Sequence, residues 1–221
     1  MLTRILEPEI MDSADDAREY DAMDHSAVNA QFVTDLLTSL TNSPFEILDL
    51  GAGTAQIPIE LARRDSQSHI TAVDAAPSML AVASAKIVAA NLTNRIDPIL
   101  ADAKQLPFAD NSFSIVISNS ILHHIADPQA VVGEAIRVTT RGGLLFHRDL
   151  ARPSDEAELQ QLVETYAATA TPYQRKLFGD SLRAALTLEE MRGMVASLGF
   201  ACDTVQVTSD RHWTWAAVRK K

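Results

Sequence analysis

The feature that most constrains this chain is a short apolar run that ends in a glycine turn, within residues 46–60, EILDLGAGTAQIPIE. The apolar part, residues 47–50, is typical of a strand that is buried on both faces. Pro58 lacks an amide hydrogen and fits only the first turn of a helix, which predicts a helix start near Ala55. The segment is therefore predicted to form a strand, a glycine loop and a helix. Such a loop lets the backbone approach a ligand beside unpaired N–H groups.

The same alternation continues downstream and predicts a parallel sheet with helices between its strands. Polar residues stand where the predicted strands end, and Pro98 places the third strand at a sheet edge because proline cannot donate to a ladder. A helix that opens at Pro128 is predicted to close at Gly142-Gly143. The predicted strands are residues 47–50, His69–Val73, Ile96–Leu100, Ser114–Ser118 and Leu144–His147.

The two ends of the chain add helices and a hairpin to this core. Residues 12–40 predict two helices, with Asp12 or Ser13 as the first cap. Thr187 opens a capping box and a late helix. Thr204–Val207 and Trp213–Val218 predict a closing hairpin. We expect N-terminal helices over 1–43 that form part of a cap, a core over 44–150, a helical cap insertion over 151–186 and a helix with a hairpin over 187–221 that completes the sheet.

Composition excludes several classes of protein. The chain has 221 residues and a formal charge of −10, which disfavours a nucleic-acid partner because such binding depends on cationic contacts to phosphate. We find no run of about 18 apolar residues, so no membrane span is expected. The single cysteine, Cys202, excludes an internal disulfide and suits a reducing, cytoplasmic location. Homo-oligomer formation stays open.

Acidic side chains converge on one edge of the predicted sheet. The carboxyl ends of parallel strands meet at the same rim, where ligands of such sheets bind. Asp49 precedes the glycine turn, and Asp74 and Asp102 end the second and third strands. Binding of a pyrophosphate at this acidic rim would be electrostatically unfavourable, because both are negatively charged. An adenosine with a sulfonium and an ammonium group is cationic at one end and needs acceptors for its ribose hydroxyls and its amine, so it matches better.

Five blocks in order resemble the class I S-adenosylmethionine-dependent methyltransferases, in particular the branch that methylates small molecules in quinone biosynthesis. These blocks are Ile47–Ile59, Thr71–Met79, Leu100–Phe108, Phe113–Ile125 and Arg137–Leu145. The resemblance implies an α/β fold with a Rossmann-like doubly wound sheet, strand order 3-2-1-4-5-7-6, with strand seven antiparallel. It also implies S-adenosylmethionine as the cofactor and S-adenosylhomocysteine as its product.

The resemblance implies roles for the residues of the rim. Asp74 accepts hydrogen bonds from the ribose hydroxyls, and Asp102 with Ala103 recognises the adenine. The complete set of cofactor candidates is Asp49, Gly51, Ala52, Gly53, Asp74, Ala75, Met79, Asp102, Ala103 and Asn119. Three positions depart from the family pattern, because Ala55 replaces a common glycine, Ser114 a common aspartate and Thr140-Arg141 a common Lys-Pro. None of these three departures puts the resemblance to this class in doubt.

Residues for catalysis and for the acceptor are predicted from position. His147, Asp149 and Tyr20 are candidate general bases, needed only if the acceptor must lose a proton. Arg148, Tyr166 and Tyr173 are candidate substrate contacts. Arg148, Arg175 and Arg183 could bind the acceptor or could instead pair with this chain's many acids.

No metal site is expected from local spacing. His123 and His124 have no third ligand at a metal-like spacing, so they are interpreted as structural or cofactor-adjacent.

The sequence thus predicts in-line methyl transfer to a small-molecule acceptor. Two alternatives stay open: a protein that binds S-adenosylmethionine without catalysis, and an NAD(P)-dependent dehydrogenase. Gln56 occupies the place of the third glycine in the dehydrogenase fingerprint and disfavours that class.

Overall fold

The fold was analysed in a computed structural model, which describes residues 2–7, 12–40 and 44–220. The predicted boundary at residue 43 lies outside the described residues. The helices are α1 Ala14–Ala22, α2 Ser26–Thr38, α3 Gln56–Arg64, α4 Pro77–Ala89, α5 Pro128–Val138, α6 Glu156–Tyr166, α7 Pro172–Ala184 and α8 Leu188–Ser197. The strands are β1 Glu46–Leu50, β2 His69–Asp74, β3 Ile96–Leu100, β4 Phe113–Asn119, β5 Thr139–Leu150, β6 Val205–Ser209 and β7 His212–Val218.

The strands form one seven-stranded sheet with the order β3-β2-β1-β4-β5-β7-β6, as the resemblance implies. β1 lies between β2 and β4 and is parallel to both, whereas β7 is antiparallel to β6. This central position explains the apolar run of β1, because four of its five residues are buried. β3 is an edge strand, which confirms the interpretation of Pro98.

The chain divides into two compact units. One comprises Met1–Glu9, Ser120–Gln129 and Arg148–Ala216, and the other comprises Ile10–Asn119, Ala130–His147 and Ala217–Lys221. The second unit holds an apolar core of α2, α3, α4 and the strands β1 to β5, with Phe32 packed edge-on against Phe146 at 5.3 Å. The first unit has its own cluster around Leu159, Leu162 and Leu182, from α6 and α7.

One local prediction was wrong. Gly142-Gly143 does not close a helix, since α5 ends at Val138 and β5 begins at Thr139. A Cβ on Gly143 would lie 2.6 Å from the carbonyl oxygen of Ser114, so a glycine is needed here for close approach of the strands. Of the two cap candidates for α1, Ser13 directly precedes the helix, whereas the carboxylate of Asp12 accepts hydrogen bonds from the backbone N–H and the hydroxyl of Ser78.

The other sequence signals for helix and strand ends are confirmed. The capping box at Thr187 is present, with its hydroxyl accepting from the N–H of Glu190. Gly199 follows α8 with a φ of 87°, the left-handed conformation expected after a helix. Among the described residues, no helix combines the length and apolarity needed to cross a membrane.

Candidate functional site

The loop after β1 is built on left-handed backbone. Gly51 and Gly53 have φ values of 71° and 54°, where a side chain would cost free energy. The N–H groups of Gly51 and Ala52 both donate to the carbonyl of Val73 at 2.9 Å, so the loop is held against the end of β2. Ala55, directly before α3, has a φ of 60°. Its left-handed backbone explains why the family pattern favours glycine here.

Asp74 links the end of β2 to the glycine loop. Its Oδ2 accepts from the N–H of Gly53 at 2.8 Å, and its Oδ1 accepts from the N–H of Ala76 at 2.9 Å. Burial raises the pKa of Asp74, although these backbone donors favour the carboxylate and oppose the rise. Each carboxylate oxygen can accept more than one hydrogen bond. Both oxygens therefore keep capacity for a vicinal diol, as the role in binding a ribose requires.

Asp49 lies in β1, opposite Ala72 of β2 and Ile117 of β4, and is only 2% exposed. Burial, followed by the nearby charge of Asp74, raises the pKa of Asp49 well above its ordinary value. A carboxyl group in such surroundings favours its protonated form. Its role in cofactor binding stays a prediction.

Asp102 stands at the turn after β3 and is available to a ligand. Its side chain is 50% exposed, and its Oδ1 accepts from the N–H of Lys104 at 2.8 Å. The ammonium of Lys104 lies 3.3 Å from Oδ2. The adjacent Ala103 is buried. An acceptor beside a small buried residue is compatible with contact to an adenine amine and ring.

The buried amide oxygen of Asn119 is suited to accept a hydrogen bond from a ligand. Its Oδ1 is buried and accepts no hydrogen bond from the described part of the chain. An orphaned buried acceptor is costly unless a partner is bound. The ammonium of a methionine moiety would supply such a donor. The residues of this unit therefore fit S-adenosylmethionine at the ribose, adenine and amino-acid ends.

Tyr20 comes from α1 to the same loop. A Cβ on Gly53 would lie 3.7 Å from Cε1 of Tyr20. Burial, followed by the negative charges of Asp74 and Asp49, raises the pKa of Tyr20 to about 12. The phenol therefore keeps its proton at neutral pH and acts as a hydrogen-bond donor. This disfavours Tyr20 as a general base, while its position supports contact with a ligand.

The structure distributes the other candidates over both units. His147 is fully buried on β5, in the same unit as the glycine loop. Arg148 and Asp149 belong to the other unit, where Nε of Arg148 donates to the hydroxyl of Thr214 at 2.8 Å. Asp149 is buried against His123. Their roles in catalysis or acceptor binding stay predictions.

Several polar side chains of α6 and α7 are engaged within the chain. Tyr166 is 44% exposed, donates its hydroxyl to Asp210 and carries the guanidinium of Arg211 over its ring at 3.4 Å. Tyr173 is 48% exposed. Arg183 of α7 forms an ion pair with Glu156 of α6, so this arginine is engaged within the chain. Substrate contact by the two tyrosines stays a prediction.

Sequence reasoning missed a buried polar cluster around His123. Nδ1 of His123 lies 2.5 Å from Oδ1 of Asp149, and Oδ2 of Asp149 accepts from the N–H of Leu122 at 2.6 Å. Burial by itself would lower the pKa of His123, but the carboxylate of Asp149 raises it overall. Glu7 approaches from the N-terminal segment. The only signal in the sequence was the His123-His124 pair, since nothing local points to Glu7.

The chain belongs to the class I S-adenosylmethionine-dependent methyltransferase family. A methyltransferase-domain family model matches residues 48–147, which contain the glycine loop and all three acids. The demethylmenaquinone methyltransferase of Thermus thermophilus is 31% identical over 173 residues, covering 74% of this chain and 77% of the relative. This assignment leaves the dehydrogenase alternative without support.

Solved structures agree with this fold. A protein of Methanococcus maripaludis assigned as an S-adenosylmethionine-dependent methyltransferase aligns with a TM-score of 0.76 at 17% identity, over 98% of both chains. The plantazolicin methyltransferase BpumL, solved with S-adenosylhomocysteine, aligns with a TM-score of 0.68 at 13% identity, over 93% of this chain and 90% of BpumL. The chain spans only 50% and 65% of the length of two other curated relatives, both ubiquinone/menaquinone biosynthesis C-methyltransferases.

Proposed function

We propose that this protein transfers a methyl group from S-adenosylmethionine to a small-molecule acceptor. The observation that carries the proposal is the joining of Asp74 to the glycine loop through the N–H of Gly53, within the segment that matches the family. S-adenosylmethionine supplies an electrophilic methyl group on a sulfonium. The protein contributes mainly by holding the two reactants in line, which accounts for a large share of the rate of such reactions.

Different residues around the loop bind different parts of the cofactor. Asp74 accepts from the ribose hydroxyls, Asp102 accepts from the adenine amine, and Oδ1 of Asn119 accepts from the ammonium. Ala75 and Met79 flank the ribose and adenine, and Met79 packs with Ala17 and Ala76 in a small buried cluster. Tyr20 stays protonated, so it donates a hydrogen bond that positions the ligand and does not act as a base.

The acceptor is proposed to be a small ring compound of the quinone type. Support comes from the names of the relatives, which act in menaquinone and ubiquinone biosynthesis. The formal charge of −10 supports a small molecule over a nucleic acid. The segment 1–43 and the insertion 151–186 are proposed to cap the acceptor. The single exposed cysteine, Cys202, supports a cytoplasmic location.

Calorimetry and a turnover assay test the proposal in two stages. S-adenosylhomocysteine should bind with micromolar or tighter affinity, whereas NAD should not bind. Asp74→Asn should weaken the binding about tenfold or more, since a charged acceptor is lost. Formation of S-adenosylhomocysteine should then depend on added demethylated naphthoquinol.

Two results would decide against the proposal. Absence of S-adenosylhomocysteine binding would remove the cofactor assignment. Tight binding without turnover of any ring acceptor would favour the alternative of a cofactor-binding protein without catalysis.

A further inference from the structure

Three side chains that are distant in the sequence converge in the unit that contains the N-terminal segment. Oε1 of Glu7 lies 3.4 Å from Nδ1 of His124 and 3.6 Å from Nε2 of His123. One possible ligand atom from each of the three residues lies within 4.8 Å of the other two. The two imidazole rings are 4.1 Å apart between centroids and tilted by 37°, so their nitrogens can face one point. No role in the proposed methyl transfer uses this group of atoms.

The hydrogen bond between His123 and Asp149 leaves the other ring nitrogen of His123 facing Glu7. Nδ1 of His123 faces Oδ1 of Asp149 at 2.5 Å and donates a hydrogen bond to this carboxylate. When a metal ion displaces the second proton of this ring, Nε2 carries the lone pair that binds it. Oε1 of Glu7 is also an acceptor, is buried, and receives no hydrogen bond from the described residues. Nε2 of His123 and Oε1 of Glu7 therefore face each other at 3.6 Å, a separation too long for a direct hydrogen bond.

The spacing of these atoms suits a small cation between them. Zinc binds imidazole nitrogen and carboxylate oxygen at about 2.0–2.2 Å in a tetrahedral arrangement, which puts neighbouring ligand atoms about 3.3–3.6 Å apart. The two measured separations of 3.4 and 3.6 Å agree with this arrangement. Metal-binding histidines commonly donate a hydrogen bond from their other ring nitrogen to a carboxylate, as Nδ1 of His123 does to Asp149.

Charge and access are compatible with a divalent ion. Glu7 and Asp149 supply two negative charges, against the guanidinium of Arg4, whose donors are used by the carbonyls of Ala184 and Ile125 at 2.7 and 3.0 Å. The side chains of Glu7 and His123 are 11% and 4% exposed, whereas His124 is 24% exposed. His124 thus provides the side from which an ion enters.

We propose that Glu7, His123 and His124 bind a divalent transition-metal ion of the zinc type. Two imidazoles and one carboxylate form a donor set for zinc and its neighbours rather than for magnesium or calcium. The three protein ligands leave a fourth position for water. The ion ties the N-terminal segment to the short 3-10 turn Leu122–His124, which leads out of the strand that carries Asn119.

The experiment uses metal-free, untagged full-length protein with Cys202→Ser as the background, so that the exposed thiol does not bind the ion. Zinc binding is measured by calorimetry, and cobalt(II) reports the geometry through its visible absorption. We expect about one ion per chain, a tetrahedral cobalt spectrum and a rise in melting temperature with zinc. Glu7→Gln and His124→Asn should each weaken zinc binding about tenfold or more, and Asp149→Asn by about 10- to 100-fold.

The surface histidine His69 offers a matched control. It lies 3.7 Å from Glu46 and 3.4 Å from Asp97, so it too has acids on both sides, but its side chain is 35% exposed. His69→Asn should leave zinc affinity within about twofold of the background. Equal loss in this control and in Glu7→Gln would overturn the site as one of several weak surface sites. Unchanged melting temperature with zinc, or unchanged affinity in Glu7→Gln, would show that the cluster is an ion pair without a metal.

Discussion

Adding a single methyl group at Gly53 separates the cost of backbone strain from the cost of blocking the cofactor. Gly53 has a φ of 54°, and a Cβ there meets only ordinary van der Waals contact, 3.7 Å from Tyr20. Left-handed backbone costs a non-glycine residue about 1–2 kcal/mol, and the lower entropy of unfolded alanine returns about 0.4–1 kcal/mol. Gly53→Ala should therefore lower the free energy of unfolding by about 1 kcal/mol. In a chain of this size that corresponds to a fall in melting temperature of about 2–4 °C.

Cofactor affinity should fall much further than this strain explains. The methyl group sits where the backbone has to approach the ligand, and strain in the loop also disturbs the N–H that donates to Asp74. We expect the dissociation constant of S-adenosylhomocysteine, measured by calorimetry, to rise at least about tenfold, a loss of about 1.4 kcal/mol.

Gly142 provides the control for strain alone. It has a φ of 81°, and no atom lies within 4 Å of an added Cβ. Gly142→Ala should lose similar stability yet bind S-adenosylhomocysteine like the wild type. Wild-type affinity in Gly53→Ala, or equal loss of affinity in both variants, would refute the placement of the cofactor on the glycine loop.

Three further predictions concern the cofactor rim and the sheet. Asp102→Asn should weaken S-adenosylhomocysteine severalfold in calorimetry, without changing the melting temperature, since the side chain is half exposed. Burial raises the pKa of Asp49, so the folded state holds a proton that the unfolded state releases, and stability falls as pH rises from about 4 toward the raised pKa. Asp49→Asn should flatten this fall in urea titrations, and an unchanged slope would contradict the pKa. Gly143→Ala should cost about 1–3 kcal/mol through contact with Ser114, whereas Gly133→Ala, with open space in α5, should stabilise the protein by up to about 1 kcal/mol in thermal melts.

The central strands and their helices could be predicted because their signals are local. β3 has the predicted ends, and α5 begins at the predicted Pro128, because a buried strand is a continuous apolar run and proline marks a first helical turn. The positions of Gly51 and Asp74 follow from the same alternation. Parallel strands deliver their carboxyl ends to one edge, so residues distant in sequence meet without any contact having to be predicted.

What could not be predicted depends on tertiary contact. Glycine at position 143 has the same sequence signal as a helix end, and only the carbonyl of Ser114 shows why glycine is needed there. Glu7 lies in an N-terminal segment without periodicity, so no pattern connects it with His123. Asp149 was interpreted as a candidate base from its place after the predicted fifth strand, Leu144–His147, whereas β5 continues to Leu150. Its engagement with His123 depends on a turn whose position the sequence does not specify.

The two edges of the sheet bear on how the protein behaves at high concentration. An open sheet can grow by adding a strand from another molecule wherever an edge presents a regular row of donors and acceptors. At one edge Pro98 removes a donor from the middle of β3. At the other, the pairing of β6 is irregular between Val207 and Ser209, which breaks the even spacing that an added strand would need. Concentrated solutions should therefore resist fibre growth and gelation by strand addition, even though Val207 is 60% exposed.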